Sequence, residues 1–488
     1  MNPPRTDRGR LLLLLALATA VTAFTATVPL LRDWFDLRVY YGTVDSWVHH
    51  GGRIYDYRVP GTTYGFTYPP FAAVAMLPMA LLPLSAAIAG SVLLNAVALA
   101  WIGRVLGGRR LCRFGWYGAG LAVCGLALFE PLRDTFSFGQ VNLLLLALVL
   151  TDAWLLATGR GSRAGWGIGL AAAVKLTPAL FIGLLLLAGR RRAAAVATAV
   201  AAGATALAVW VAPDASRFYW TEAMWDTTRV GRLDYVSNQS LQGILARLGE
   251  PDRAAWAVAV LLVLAVWAVR ARRAAGAGDW PAAFALTGLT ACLISPITWV
   301  HHLVWLLPAL AVLVRAGHPR VAGALYAVLC TSVVWLWFDD ASGIDGFLGG
   351  NTYTWITLGL LLWLPAGQPR TLRLPVGQPR TLRLPVGQPR TLRLPVGQPR
   401  AARFLLPRRA KATTAAPSAD DPTTNPARVQ PGQPAGTAAT AAGNGAGPGR
   451  GLARRASSEP TAATCPAAPN PQSSSSRASS YTAKPPPD

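Results

Sequence analysis

Long apolar runs alternate with short, mostly Arg-bearing polar breaks as far as residue 365, and there the alternation stops. A helix of ~20 apolar residues crosses the ~30 Å hydrocarbon core of a bilayer. Lipid gives backbone N–H and C=O groups no partner outside the helix itself, and no barrel-type alternation of single residues is present. The pattern therefore predicts one all-α polytopic membrane domain over residues 1–365, with roughly ten to twelve transmembrane helices. Arg5, Arg8 and Arg10 precede the first run, 11–31, which puts the N-terminus inside and the polar stretch 32–70 outside. That run is long for a signal peptide and the chain stays in the membrane afterwards, so an uncleaved anchor is favoured over a cleaved leader.

The stretch 71–101 is broken by Pro78 and Pro83. It is too long for one straight span and short for two, which fits a re-entrant segment followed by a full helix. Arg104, Arg109, Arg110 and Arg113 then mark a cytoplasmic turn. Residues 115–131 return outward to a short loop holding Glu130, Arg133 and Asp134, and 141–157 lead back to Arg160 and Arg163. Between Arg163 and the Arg190–Arg192 cluster, Lys175 and Pro178 sit mid-segment, either in a helical hairpin or where two short broken spans meet. A second large outer loop is predicted over 213–253, followed by spans at 254–269, 281–295, 303–314, 321–338 and 353–364.

Composition agrees with the pattern: of 488 residues, 52% are hydrophobic and only 14% charged. The net charge of +23 comes from Arg residues at the ends of apolar runs and in the tail, so no nucleic-acid partner is expected. Cys112, Cys124, Cys292, Cys330 and Cys465 show no CxxC spacing and read as small apolar residues. Residues 366–488 differ in kind. GQPRTLRLPV repeats from Gly367, Gly377 and Gly387, with a partial copy from Gly397, and Ala, Pro, Ser, Thr and Gly dominate thereafter. This basic segment predicts a disordered cytoplasmic tail, its Arg residues either attracted to anionic lipid or simply solvated.

Ionisable groups within or beside spans are costly and mark candidate functional sites. Asp36, just after the first helix, could accept a proton from a substrate hydroxyl at the membrane surface, or Asp33 or Asp36 could cap a short helix. The FTYPP aromatics, Tyr68 among them, are either an interfacial belt or a wall for lipid or sugar. In GQVN, Gln140 and Asn142 must find partners on entering the membrane, as helix-to-helix contacts or as substrate contacts. Lys175 could neutralise a phosphate or pair with an outer-loop acid. His301 and His302 lack the i, i+4 spacing of a zinc pair, so no metal is expected; one imidazole donating to a phosphate oxygen fits better. SNQS, 237–240, is formally a glycosylation sequon. The chain has no Gly-rich nucleotide loop in a fitting context, so an activated group would arrive on a lipid rather than on a nucleotide.

In order and spacing, DLRVY, FTYPP, FGQVN, AAAVKLTP, NQSLQGIL and SPITWVHH resemble glycosyltransferase family 87, membrane mannosyltransferases of the GT-C superfamily common in actinobacteria. The resemblance runs from Asp33 to Pro308, while the basic repeat and the long tail look peculiar to this chain. It implies a GT-C-type fold in the cell membrane, a site facing outward, and a polyprenyl-phosphate sugar donor carrying mannose or, in some members, arabinofuranose. It also implies a lipid or glycan acceptor, membrane lipids as surroundings, and no cofactor beyond the lipid-linked sugar. Asp36 is the position matching the family's general base. Lys175 with His301 or His302 would hold the donor phosphate, and Tyr40, Tyr68, Gln140, Asn142, Asn238 and Gln239 would contact substrate. A lipid-linked glycan transporter would place its polar residues at the midplane, whereas these cluster at the outer ends of spans.

Overall fold

A computed structural model describes residues 6–27, 33–107, 115–249 and 252–367. Cys112, Cys465 and the repeat-bearing tail from 368 onward lie outside these residues. The described chain is all-helical, as the polytopic pattern predicts, apart from one isolated bridge between Arg58 and Gly65.

Four helices are long and apolar enough to cross a membrane: Asp7–Ala26, Leu84–Gly107, Arg191–Val211 and Arg253–Gly276. Their outward faces carry exposed large hydrophobics such as Leu93, Val97, Trp210, Leu261 and Leu262. Water would penalise so much continuous apolar surface, and lipid would not. Glu130–Phe138 and Asn142–Ala157 form a further pair, bent by 119°. Shorter apolar helices, including Gly115–Leu128, Trp280–Ile294 and Pro319–Cys330, complete the bundle. The chain is thus a multi-pass membrane protein.

The segment broken by Pro78 and Pro83 has the two-part form: Pro70–Met76 and a 3-10 turn, Leu77–Leu81, precede the long Leu84–Gly107 helix. Of the two readings around Lys175, the structure has two short helices, Trp166–Val174 and Leu180–Leu187, meeting at an extended Lys175 and a 3-10 turn. Gly169 lets the first of them approach closely, since a Cβ there would stand 2.4 Å from the Ala197 carbonyl oxygen. One loop is corrected. Glu130, Arg133 and Asp134 lie in the Glu130–Phe138 helix and are buried. Glu130 accepts hydrogen bonds from Trp335 Nε1 at 2.5 Å and from the Tyr353 hydroxyl, and Arg133 donates to Ser332 Oγ at 2.7 Å. Burial is tolerable because these groups are paired.

Caps explain several starts. Asp252 accepts from the Ala254 and Ala255 amides at 2.7 and 3.2 Å and opens Arg253–Gly276; Ser240 accepts from Gly243 N and opens Leu241–Leu248. The Trp280–Ile294 helix is buried on nearly all sides and forms the axis of the main core.

A second apolar cluster lies apart from that core and consists largely of the stretch read as the first outer loop. Leu37, Tyr40, Val44, Ile54, Tyr55 and Phe66 pack together, joined by Tyr219 of the second polar loop. The Tyr55 and Tyr219 rings stack with centroids 5.9 Å apart. The first loop is therefore a folded cap, built on the Phe35–His49 helix, whose buried side carries Leu37, Val39, Tyr40 and Val44.

Candidate active site

Between this cap, the Lys175 break and the second polar loop lies a cavity of about 550 Å³. Asp36, Tyr40, Tyr68, Gln140, Lys175, His301 and His302 all line it. Residues up to 266 positions apart in sequence thus converge in one place, as the span-end polar motifs predict.

Asp36 is fixed by an unusual turn. Asp33 and Trp34 have φ of 45° and 54°, left-handed values that cost non-glycine residues of order 1–3 kcal/mol each. Arg38 holds the turn, donating from Nε to the Asp33 carbonyl at 2.9 Å and from Nη2 to the Asp33 carboxylate at 3.1 Å. The Trp34 amide donates to Ser137 O at 3.0 Å. Neither Asp33 nor Asp36 caps the Phe35–His49 helix, which has no side-chain cap, so the capping reading is set aside. The Asp36 carboxylate instead turns to Gln140, whose Nε2 donates to Oδ2 at 2.6 Å. Burial pushes the Asp36 carboxyl up to about 6, while the Gln140 hydrogen bond and the Lys175 charge pull it back.

The donors run in one direction. Tyr40 donates to the Tyr68 hydroxyl at 3.0 Å, Tyr68 donates to Gln140 Oε1 at 3.0 Å, and Gln140 donates to Asp36. Gly139, at φ 70°, makes this possible: it ends the Glu130–Phe138 helix in the left-handed region and produces the bend. A Cβ on Gly139 would stand 2.5 Å from Leu37 Cβ, so only glycine lets the two segments meet here.

Lys175 Nζ donates to Asn142 Oδ1 at 3.3 Å, lies 3.4 Å from the Tyr68 hydroxyl, and lies 2.8 Å from His302 Nε2. The Trp299 amide donates to His302 Nδ1 at 3.1 Å. With Nδ1 accepting, a neutral ring carries its proton on Nε2. The ammonium and the imidazole Nε2–H then face each other as two donors 2.8 Å apart, a repulsive pair that an acceptor oxygen bonded to both would relieve. The His301 ring packs edge-on against Phe138, with centroids 5.0 Å apart, and against His302.

Asn238 and Gln239 correct the expectation of substrate contact. Both are fully buried, and neither lines the cavity. Asn238 donates to the Leu233 and Pro296 carbonyls at 2.9 and 3.2 Å and accepts from Thr298 N at 2.9 Å. Gln239 donates to the Val236 and Gly350 carbonyls, each at 2.7 Å, and accepts from Thr354 N at 3.1 Å. They act as splints: Asn238 holds the turn before Trp299 and His302, and Gln239 ties the second polar loop to the Thr352–Trp363 helix. Asn142 also lies behind the cavity wall, where it steadies Lys175 and donates to the His301 carbonyl at 3.2 Å. Trp299, Trp335 and Arg229, not singled out among the candidates above, also line the cavity. The WVHH block carried a signal for the first; aromatics and arginines elsewhere in a membrane protein are too common to single out.

A family model described as glycosyltransferase family 87 matches residues 66–296. Tyr68, Gln140 and Lys175 fall inside that span, and Asp36, His301 and His302 outside it. The chain is 33% identical over 391 residues to a "polyprenol-phosphate-mannose-dependent alpha-(1-2)-phosphatidylinositol pentamannoside mannosyltransferase" of Mycobacterium tuberculosis, covering 75% of this chain and 89% of that one. It is 35% identical over 361 residues, 68% of this chain and 81% of the other, to the corresponding "phosphatidylinositol mannoside mannosyltransferase" of that species. A pentamannoside mannosyltransferase of Mycolicibacterium smegmatis is 34% identical over 335 residues, 66% of this chain and 79% of its own length. No solved structure matches. The extent of these similarities, together with the convergence of the sequence motifs on one cavity, places the chain in glycosyltransferase family 87, as a membrane-embedded glycosyltransferase.

Proposed function

We propose that the protein transfers mannose from polyprenyl-phosphate-mannose to a mannosylated phosphatidylinositol lipid, at the outer face of the cytoplasmic membrane and with inversion. The names of the relatives support the donor and the acceptor class. The positive-inside distribution supports the orientation, with the C-terminal tail on the cytoplasmic side. Asp36 and the Lys175–His302 pair in a single cavity are the observation that carries the chemistry.

In this reading Asp36 takes the proton of the acceptor hydroxyl, whose oxygen attacks the anomeric carbon from the face opposite the phosphate. The anomeric C–O bond breaks as the new one forms, and its electron pair leaves on the polyprenyl phosphate. Lys175 and His302 Nε2–H meet the charge that grows on the phosphate oxygens. Gln140 keeps the Asp36 carboxylate oriented toward the cavity. A β-mannosyl donor would give an α-mannoside. Tyr68 and Tyr40 are the aromatic walls on the Asp36 side.

The test supplies membranes containing this chain with labelled polyprenyl-phosphate-mannose and phosphatidylinositol mannosides, and determines the configuration of the product linkage. An α-linked, mannose-extended lipid is expected. No transfer to any such lipid, or transfer only when a polyprenyl-phosphate arabinofuranose donor is supplied in place of the mannosyl one, would overturn the reading.

A further inference from the structure

Lys175 is one cation of the cavity; the second polar loop adds two more, Arg229 and Arg232. Their surroundings differ. Arg232 is exposed and paired to a carboxylate, with Nε 3.1 Å from Asp234 Oδ1 and Nη2 2.6 Å from Asp234 Oδ2. The nearby Asp226 accepts through Oδ1 from the Thr228 amide at 3.0 Å and from its hydroxyl at 2.5 Å, and feels the Arg229 charge without forming an ion pair with it. Arg229 has no carboxylate within 4.0 Å among the described residues. Its Nη2 donates to the Tyr55 carbonyl at 3.3 Å, and its guanidinium lies 5.3 Å from the centre of the Phe218 ring. Its Nε is buried and has no hydrogen-bond partner among the described residues.

A guanidinium has five N–H donors in a planar fork that matches the oxygens of a phosphate. Here one donor is used by the protein, the plane is held by an aromatic ring, and a buried N–H is left unmade, which costs free energy. The residue faces a cavity in which the proposed reaction handles lipid phosphodiesters. We propose that Arg229 is a second phosphate-recognition residue of this site, binding the phosphodiester of a lipid substrate through its free N–H groups. The proposal rests on the donor and acceptor classes given above. A phosphodiester is present both in a polyprenyl-phosphate sugar and in a phosphatidylinositol lipid, so the experiment separates the two.

Full-length Arg229→Gln and Arg229→Lys proteins would be purified in detergent, with folding checked by thermal melting. Binding of sugar-free polyprenyl phosphate, which keeps the donor's lipid phosphate as a monoester, and of phosphatidylinositol in mixed micelles would then be titrated beside the wild type. Loss of a charge-assisted, bidentate contact weakens binding by about tenfold or more. We expect that loss in Arg229→Gln for one of the two lipids, and a smaller loss of at least about threefold in Arg229→Lys, which keeps charge but not the fork. Weakening of polyprenyl phosphate assigns the residue to the donor; weakening of phosphatidylinositol assigns it to the acceptor. In the second case, transfer to octyl α-mannoside, which has no phosphate, should be indifferent to the substitution. Binding of both lipids within about twofold of wild type in the folded variants overturns the proposal; if Arg229→Gln does not fold, Arg229→Lys decides. Because binding needs no turnover, Arg229-dependent binding by a wild type that transfers no mannose would retain this site and discard the mannosyl reading.

Discussion

The chain carries two short amide motifs that lead into helices, GQVN at 139–142 and SNQS at 237–240, and the fold uses them in opposite ways. Gln140 bonds to the Asp36 carboxylate and the Tyr68 hydroxyl, and Asn142 to the Lys175 ammonium and the His301 carbonyl. Asn238 and Gln239 spend their side-chain amides largely on backbone carbonyls and amides. An amide bonded to ionisable side chains at a cavity tunes chemistry, whereas one saturated by backbone holds a loop in place. The difference lies in the partners, which are remote in sequence, and not in the motifs.

If the first motif serves chemistry, the charged groups it holds should give the largest losses. Asp36→Asn keeps the shape but removes the basic oxygen. Transfer should fall by about a thousandfold, within the range for a general base, while melting temperature and lipid binding stay near wild type. Undiminished turnover by a well-folded Asp36→Asn protein would remove Asp36 from the mechanism. Lys175→Ala should come next, with a loss of about a hundredfold in kcat/KM and weaker binding of polyprenyl phosphate than of the acceptor. A stronger effect on acceptor than on donor would make the lysine structural.

Gln140→Ala probes the contact itself. Asp36 must be ionised to act as a base, so wild-type kcat/KM should fall as pH drops through about 6, the value to which burial raises the carboxyl. The Gln140 hydrogen bond favours the ionised form, so removing it raises that value further. The acidic limb of the profile should therefore move to higher pH, with a loss of about tenfold at neutral pH. An unshifted limb would show that Gln140 does not tune Asp36.

Much of this site was legible because ionisable residues in apolar surroundings are rare, as Asp36, Lys175 and the His301–His302 pair illustrate. The break at Lys175 was legible too, since Pro178 cannot continue a hydrogen-bonded helix. The Glu130–Phe138 helix was not. Three charged residues read locally as a solvated loop, and only Trp335, Ser332 and Tyr353, about 200 positions later, allow their burial. Arg229 was hidden for the reverse reason: an arginine in a polar loop is unremarkable until the fold shows its Nε buried without a hydrogen-bond partner among the described residues.

The smallest effect on turnover is expected in the second motif, and it sharpens the contrast most. Gln239→Leu leaves the Val236 and Gly350 carbonyls and the Thr354 amide without their side-chain partner. These groups are buried, and each unmade bond costs about 1–3 kcal/mol, so the protein should melt well below wild type. The Gln239 side chain does not line the cavity, and the Asp36, Gln140 and Lys175 contacts do not pass through it. Turnover per folded molecule, measured below the lowered melting point, should stay within about threefold of wild type, with the same acidic limb near pH 6. Gln140→Ala should show the opposite split, a shifted limb with little change in melting, because its amide lies at the cavity wall where solvent can replace it. Should Gln239→Leu cut turnover tenfold without lowering the melting temperature, the distinction between a chemical and a scaffolding amide pair would collapse, and the second motif would have to be reassigned to substrate.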